Sequence, residues 1–430
     1  MYAKSFLKAC LIFIHISNLE LLNYNREEVR AIQILRSEIH IINKKHRLFN
    51  YCDEVCLHSK NLYNHANYLM RKLFISEGRA LSAFDLNKIL KDEEVFKALP
   101  AKTSQQIIIA LGRNWKSFFI SIKDWSKNKS KYTGKPRLPR YKKKDGRNIV
   151  FYDYQQGTLK DGKYKFPKTD YFIETSVTKD MFRQVQIIPY GSCYKIAVVY
   201  RKELEIKKNI NSSYLSIDLG IDNLATLTNN IGKQSIVING RILKSINQYY
   251  NKKLAKLRSY VGRRTSNRIK KLNIKRNNIV ETQFHKISRH IINYCLKNDI
   301  DNIAIGRNKD WQRNSKMSRK TNQKFVQIPF EKLIDQLKYK GEECGIKVIV
   351  IEEQYTSAAS FIDNDFLPFK FGNYEFSGRR VKRGLYKSKN GTLINADVNG
   401  SYNILRKCNP EFSYDRIEGV SLHPVRINIA

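Results

Sequence analysis

From Ser213 onward the chain is committed to one layered architecture, because strand-like and helix-like periods follow each other in a fixed order. Tyr214-Leu-Ser-Ile-Asp-Leu-Gly220 alternates every second residue and ends in an acid and a glycine turn. Leu224-Ala-Thr-Leu-Thr228 reads as its antiparallel partner. A helical region over 241–299 follows, then a strand at Ile303-Ala-Ile305, a helix from Glu331 to Cys344, a strand from Lys347 to Ile351 and a helix from Asp397 to Lys407. Hairpin, helix, strand, helix, strand, helix is the order of an α/β layer.

The first half reads differently. Ile32 and Ile34 flank Gln33, and Ile39 and Ile41 flank His40, so 31–46 is expected to be extended. Val55, Leu62, Ala66, Leu69 and Leu73 recur at helical steps between Phe49 and Phe74. A second helix is expected after Pro100, carrying Ile107, Ile108, Leu111, Trp115, Phe118, Phe119 and Ile122. Residues 149–206 alternate again, as in Gln184-Val-Gln-Ile-Ile-Pro189 and Tyr194–Tyr200, which predicts a small β-barrel or sheet with Pro189 at a strand end. The expected fold class is mixed α/β: an N-terminal β-barrel plus helical lobe ahead of the α/β layer. The expected divisions are a β-rich unit (31–48 and 129–210), a helical lobe (49–128), the α/β layer (211–356 and 391–408), an insert (357–390) and a tail (409–430). Residues 1–30 read as a leader. Lys4 and Lys8 precede an apolar run, Ala9–Ile14, that is too short to span a bilayer, and no membrane partner is expected.

Charge narrows the class of partner. Lys plus Arg number 79 against 39 Asp plus Glu, a formal +40 spread through a chain that is still 42% hydrophobic. Such an excess repels itself, and the partner that relieves it is a polyphosphate. Lys129–Arg147 holds two prolines, two glycines and nine basic residues, and cannot fold on itself. Its tyrosines among the cations suit phosphate contact plus stacking, with a solvated linker as the alternative. Candidate nucleic-acid contacts are Lys60, Lys135, Arg137, Arg140, Tyr141, Lys142 and Lys143 in the first half. In the second half they are Arg263, Arg264, Lys270 and Lys271 of the basic helical region, and Arg379 and Arg380 of the insert. The seven cysteines are scattered, with no C-x-x-C pair, which points to neither a disulfide framework nor a zinc ribbon and fits a reducing, intracellular setting. Cys52 and Cys56, one helical turn apart, read as small buried residues.

In so basic a chain, acids at strand ends stand out. Asp218 alternates with Ile217 and Leu219, so it faces away from the side that those residues bury, and Gly220 lets the backbone turn beside it. Asp397 opens a helix whose Val398, Ile404 and Leu405 can pack on the sheet, although an N-capping aspartate would look the same. Glu352 and Glu353 end the strand that closes at Ile351. Three carboxylates at the ends of neighbouring elements can hold two Mg²⁺ ions for phosphodiester cleavage.

Several stretches carry a family resemblance. Ser216-Ile-Asp-Leu-Gly-Ile-Asp-Asn-Leu-Ala-Thr226 resembles the first RuvC motif of TnpB proteins, and Asn395-Ala-Asp-Val-Asn-Gly-Ser-Tyr-Asn-Ile-Leu405 resembles their third. Tyr355-Thr-Ser357 is similar to the element that precedes their zinc finger. Further matches are His58-Ser-Lys-Asn-Leu-Tyr-Asn64, Asn114-Trp-Lys-Ser-Phe118, Gly134-Lys-Pro-Arg-Leu-Pro-Arg-Tyr141 and Ile328-Pro-Phe330. The resemblance to the TnpB/Fanzor family runs from about residue 31 to Lys407. It implies a relative of the type V CRISPR effectors: a lobe gripping guide RNA and target double-stranded DNA, then an RNase H-like (RuvC) nuclease domain with a two-ion Mg²⁺ site. Asp218, Glu353 and Asp397 are the implied catalytic and metal-binding residues, with Glu352 as a substitute. The implied compartment is intracellular: cytoplasm or nucleoid in a bacterium, nucleus in a eukaryotic or viral setting.

Two departures qualify the pattern. Most members end the second-motif strand in a glutamate, where Ile303-Ala-Ile-Gly-Arg-Asn308 has Gly306. A subset, Fanzor proteins among them, carries a glutamate just before the threonine-serine element, and Glu353 fits that rearrangement. The rearrangement calls for the strand ending at Ile351 to lie beside the Tyr214–Leu219 strand. Secondly, Ser360 and Asp363 stand where a zinc-binding cysteine pair would follow Ser357, so no zinc is expected. Phe361, Phe366, Phe369, Phe371, Tyr374 and Phe376 are expected to form an aromatic mini-core in its place. Three functions stay open: an active RNA-guided endonuclease, a nuclease-dead RNA-guided DNA binder, and a transposase acting in strand transfer.

Overall fold

The computed structural model describes residues 29–207, 212–262, 264–307, 327–370, 372–416 and 419–429. The leader expected over 1–30 lies outside them except for its last two residues, and so do Arg263 and Phe371.

The extended start of the chain is β1 (Val29–Ile42), followed by α1 (Phe49–Glu77), α2 (Ala83–Leu90), a single helical turn at Glu94–Lys97 and α3 (Ala101–Lys127). Next come β2 (Val150–Asp153), the short β3 (Thr158–Lys160), β4 (Lys163–Lys165) and β5 (Phe172–Glu174), then the long β6 (Phe182–Tyr190) and β7 (Cys193–Lys207). One antiparallel sheet runs β1-β7-β6-β2 and a second runs β3-β4-β5. Among the described residues no ladder joins β1 to β2, so the expected barrel is an open sheet. The reason is that helices cover its apolar face. Val150, Val185, Ile187, Ile196 and Val198 share one core with Cys52, Cys56, Leu62 and Ala66 of α1 and with Trp115 of α3. Burying that face against helices already removes its apolar surface from water, so sheet closure is not needed for it.

The α/β layer follows the predicted order. It comprises β8 (Tyr214–Leu219), β9 (Asn223–Asn229), β10 (Ile236–Asn239), α4 (Arg241–Val261), α5 (Asn267–Lys297), β11 (Asn302–Gly306), α6 (Phe330–Glu343) and β12 (Lys347–Ile351). A three-stranded antiparallel unit, β13 (Arg379–Lys382), β14 (Leu385–Lys387) and β15 (Leu393–Asn395), leads into α7 (Ala396–Cys408). The tail is not loose, because β16 (Val425–Ile427) pairs parallel with β10 and closes the sheet order β12-β11-β8-β9-β10-β16. Three residues are too few to show a period, which is why the sequence did not reveal that strand. The basic helical region divides at Gly262, where φ is +58°, and Ser266 caps α5 by accepting from Ile269 N. Its buried stripe is formed by Val280, Phe284, Ile287 and Ile291, while Tyr249 and Leu296 are exposed.

β8 divides its side chains between two layers. Leu215, Ile217 and Leu219 pack with Phe284, Ile291, Leu333 and Leu337 of α5 and α6. Ser216, on the other face, meets α7, which it contacts through Ser401. The two halves of the molecule touch where Arg36 donates to Tyr339 O (2.9 Å) and Lys202 pairs with Glu343 (2.7 Å). Among the described residues no helix is long and apolar enough to cross a membrane.

Of the aromatics expected to form a mini-core in the insert, Tyr374 and Phe376 gather around Tyr355, with ring centroids 5.2 and 5.9 Å from its own. Phe361 leaves the insert and stacks on Tyr402 of α7, with ring centroids 4.5 Å apart, while Phe366 and Phe369 are 73% and 75% exposed. Two aspartates also organise the segment. Asp365 accepts from Ser360 N (2.7 Å) and Ser377 N (3.0 Å), and Asp363 accepts from Ser360 Oγ (2.6 Å) and Lys389 N (2.8 Å). Each carboxylate ties the first knuckle to a later stretch of the insert. Asp365→Ala should therefore cost about 1–3 kcal/mol locally and speed limited proteolysis within 366–392, with little change elsewhere. Unaltered proteolysis would show that the aspartate is not the clasp.

Candidate active site

Asp218 lies at the end of β8, in ladder with Thr226 of β9. What brings α7 onto this strand is a buried trio of hydroxyls. Ser216 Oγ and Thr228 Oγ1 are 2.6 Å apart, Thr228 Oγ1 donates to Ser401 Oγ (3.0 Å), and Ser216 Oγ donates to Ser401 O (2.7 Å). The residue before Ser401 has no side chain to obstruct the approach. A Cβ on Gly400 would sit 3.2 Å from Asp218 Oδ2. Small residues on the helix thus let the Asp218 carboxylate lie directly against it.

Asp397 is not the cap of α7. Asn395 is, its side chain accepting from Asp397 N and Val398 N. The Asp397 carboxylate is left to accept from Asn223 Nδ2 (2.6 Å), and Arg380 Nη2 stands 3.7 Å from it. Asn223 in turn accepts from Arg426 of β16 (2.9 Å).

Glu353 arrives by a route that differs from the expected one. β12 does not lie beside β8; β11 runs between them, parallel to both, with Gly306 in register with Ile351. Glu353 crosses that intervening strand over its last residue. A Cβ on Gly306 would meet Glu353 Cγ at 2.7 Å and Oε1 at 2.8 Å, and would also collide with Ile404 Cδ1. The glycine is therefore the space that the glutamate fills. Glu353 Oε1 is fully removed from water, whereas Glu352 is exposed on the surface.

The three carboxylates form a chain of neighbours. Loss of water and the Asp397 charge push Asp218 up to about 7, and loss of water and the Asp218 charge push Glu353 up to about 8. Arg380 opposes the first shift and Arg307 the second. Among the described residues no three His, Cys, Asp or Glu side chains converge closely enough to hold one ion. The donor set is hard oxygen, arranged as adjacent pairs, and adjacent half-buried carboxylates of like charge suit small divalent cations that neutralise them.

Sequence reasoning left five site residues unassigned. Asn223 and Asn395 orient Asp397, as above. Asp222, which Lys244 (2.6 Å) and Arg383 (2.6 Å) both approach, anchors the β13–β14 hairpin beside the carboxylates. Asn403, with Asn399, donates to Ala359 O (2.8 Å each), holding the segment after Glu353. All lie inside or next to the quoted motifs, and polar residues on an otherwise buried helix face were the available signal.

The proposed nucleic-acid contacts are dispersed. Lys135, Arg137, Arg140, Tyr141 and Lys143 are exposed, and Lys142 lies half-buried over the Tyr63 ring. Lys60 is not a surface cation: it is 8% exposed and donates to Lys144 O (3.1 Å), because its helix face is covered by the basic loop. Arg264 and Lys271 are exposed and Lys270 half-buried at the α4–α5 junction, while Arg263 lies outside the described residues. Of the exposed pair Arg379 and Arg380, Arg380 reaches the carboxylates.

With this geometry, similarity to known proteins acquires a location. The sequence matches the OrfB_IS605 family, described as a probable transposase, over residues 197–312, and the Cas12f1-like TNB domain over residues 330–404. Asp218 falls in the first match, and Glu353 and Asp397 fall in the second. The TnpB-like protein ORF457 of Acidianus two-tailed virus is 21% identical over 405 residues, covering 81% of each chain. This is a TnpB-family, RuvC-like protein. The CRISPR-associated endodeoxyribonuclease Cas12f1 of Sulfoacidibacillus thermotolerans is 30% identical over 138 residues, 32% of this chain and 29% of that protein. Among solved structures, a Cas12f1–sgRNA–target DNA complex aligns with 86% of this chain and 98% of that one, at 14% identity and a TM-score of 0.34.

Two outcomes follow for this TnpB-family site. Raised carboxyl values mean that the folded chain keeps protons which the unfolded chain releases from about pH 4. The stability they contribute is complete at low pH and is lost as pH climbs through about 7 and 8. In chelator, the melting temperature should fall between pH 5 and pH 8, and Asp218→Asn should reduce that fall by several degrees; identical slopes would remove the repulsion argument. Gly306→Ala should cost about 1–3 kcal/mol by overpacking, measured by denaturant melts, since Ile404 and Glu353 must both give way.

Proposed function

We propose that this TnpB-family protein is an RNA-guided DNA endonuclease of a mobile element, cutting by a two-metal RuvC-type reaction. The observation that carries the reading is the succession Asp397, Asp218, Glu353: like charges pressed together inside a chain of formal charge +40. A core under ordinary selection for stability avoids such a cluster. Cation-dependent chemistry on a phosphodiester is a reason to keep it. The similarity to an endodeoxyribonuclease over the part of the chain it covers supports the same reaction class.

In this reading Asp218, central in the succession, would hold two Mg²⁺ ions together with Glu353 and Asp397. When bound, such ions activate water and stabilise the leaving oxygen. The chain's own residues do the rest. Asn223 fixes the rotamer of Asp397, the Ser216–Thr228–Ser401 trio holds α7 at contact distance from β8, and Gly306 leaves room for Glu353. Arg380 places a positive charge at the mouth of the site, where a phosphate entering would meet it. The exposed cations of the first half and of the α4–α5 junction are assigned to guide RNA and target DNA.

Protein produced with its own locus should copurify a structured RNA and cut matching DNA in Mg²⁺. Asp218→Ala, Glu353→Ala and Asp397→Ala should each lower cleavage by more than about a hundredfold with binding retained. Asn223→Ala, which only orients a carboxylate, should cost about 10–100-fold. Glu352→Ala should be near wild type. A wild-type protein that binds its target yet never cuts it in Mg²⁺ or Mn²⁺ is instead the nuclease-dead binder.

A further inference from the structure

The basic segment that the sequence leaves without a partner has one, and the fit is one of length. Four residues on one face of α1 fasten it. Lys60 Nζ donates to Lys144 O (3.1 Å), Asn64 both donates to Lys142 O (3.0 Å) and accepts from Lys142 N (2.7 Å), and Asn67 and Arg71 donate to Pro139 O (3.1 and 2.9 Å). Steps of four, three and four residues keep these side chains on a single helical stripe. Residues 60 to 71 rise about 16 Å along a helix, and residues 139 to 144 span about 16 Å when extended. The segment therefore lies antiparallel along α1 without strain, and Arg147 clamps its far end through two hydrogen bonds to Asp53 (3.0 and 2.7 Å).

The consequence is a row of cations that cannot retract. Pro136 and Pro139 restrict the backbone, and the carbonyls of Pro139, Lys142 and Lys144 are engaged with the helix. Arg137, Arg140 and Lys143 recur every third residue on the exposed side of this chain. Tyr141 among them is 46% exposed, with Arg71 5.3 Å from its ring centre. A linear, evenly spaced series of positive charges with an aromatic face fits a phosphodiester strand. A lipid surface is a poorer fit, because the one aliphatic residue of the series, Leu138, packs into the core.

We propose that residues 135–144 form a prefolded phosphodiester-binding rail. Its grip is set by the α1 side chains that fasten its backbone as much as by its own cations. Asn64 is thus a positioning residue for nucleic acid that it does not touch. The inference rests on the nucleic-acid reading above and adds a dependence that charge alone does not produce, since an unfastened loop of equal charge must be ordered at the moment of binding.

The test uses the full chain with labelled 20-nucleotide single-stranded RNA and 20-base-pair DNA, titrated at several salt concentrations. Asn64→Leu removes both bonds to Lys142 and no charge; Asn67 is left intact because it also holds Trp115 Nε1 (3.0 Å). Pro139→Gly loosens the segment without altering α1. Both variants should bind about tenfold more weakly with an unchanged salt slope, and trypsin should cut them faster between Arg140 and Lys144 at an unchanged melting temperature. The triple variant Arg137→Ala, Arg140→Ala, Lys143→Ala should instead flatten the salt slope by about two to three. The probe on which it loses more identifies the strand carried. Wild-type affinity in both fastening variants, with the triple variant weakened, overturns the rail and leaves the nucleic-acid reading intact. Unchanged binding in the triple variant overturns it as well. No salt-dependent binding of either probe by the wild type sinks the functional reading itself.

Discussion

Glu353 and Gly306 compete for one volume, and the arrangement of the site follows from the outcome. A carboxylate has to reach Asp218 from the far side of β11, so its side chain must pass over the end of that strand. Any side chain at position 306 would occupy the path, as the 2.7 and 2.8 Å approaches of Glu353 to an imagined Cβ show. Ile404 of α7 closes the same space from above. The glycine is thus coupled to both the glutamate and the helix, and none of the three can change size alone.

Docking of α7 is the second requirement, and polar contacts join the apolar packing of Val398, Tyr402 and Leu405 in meeting it. Ser401 exchanges hydrogen bonds with Ser216 and Thr228, while Asn399 and Asn403 hold the carbonyl of Ala359. Buried hydroxyls and amides demand specific partners, whereas apolar contacts tolerate sliding. A site that depends on Asp397 and Asp218 keeping their separation is well served by such a joint. The cationic hairpin is held in the same spirit, with Arg383 on Asp222 and Arg380 facing Asp397.

Much of this was legible in the chain because periodicity reports which face of an element is buried. The order of the α/β layer, the two long N-terminal helices and the turning of Asp218 away from the face that Ile217 and Leu219 bury all follow from apolar spacing. Of the neighbours Glu352 and Glu353, the first is exposed and the second half-buried, as side chains on opposite sides of an extended chain would be. Periodicity was silent wherever a contact joins distant segments. It could not show that Lys60 is spent on the carbonyl of Lys144, or that Phe361 stacks on Tyr402 while Phe366 and Phe369 face water. Nor could it show that Val425–Ile427 completes the sheet.

The amino-acid order alone therefore settles the class of fold, the basic character of the surface and the identity of the acids that stand at strand ends, since each is a property of short windows and of summed charge. Which acids meet was decided by strand order. With β11 lying between β8 and β12, Glu353 reaches Asp218 only because the intervening strand ends in a residue without a side chain. Strand order is a matter of long-range packing, in which each ladder depends on every other element finding its layer, and no local window contains it.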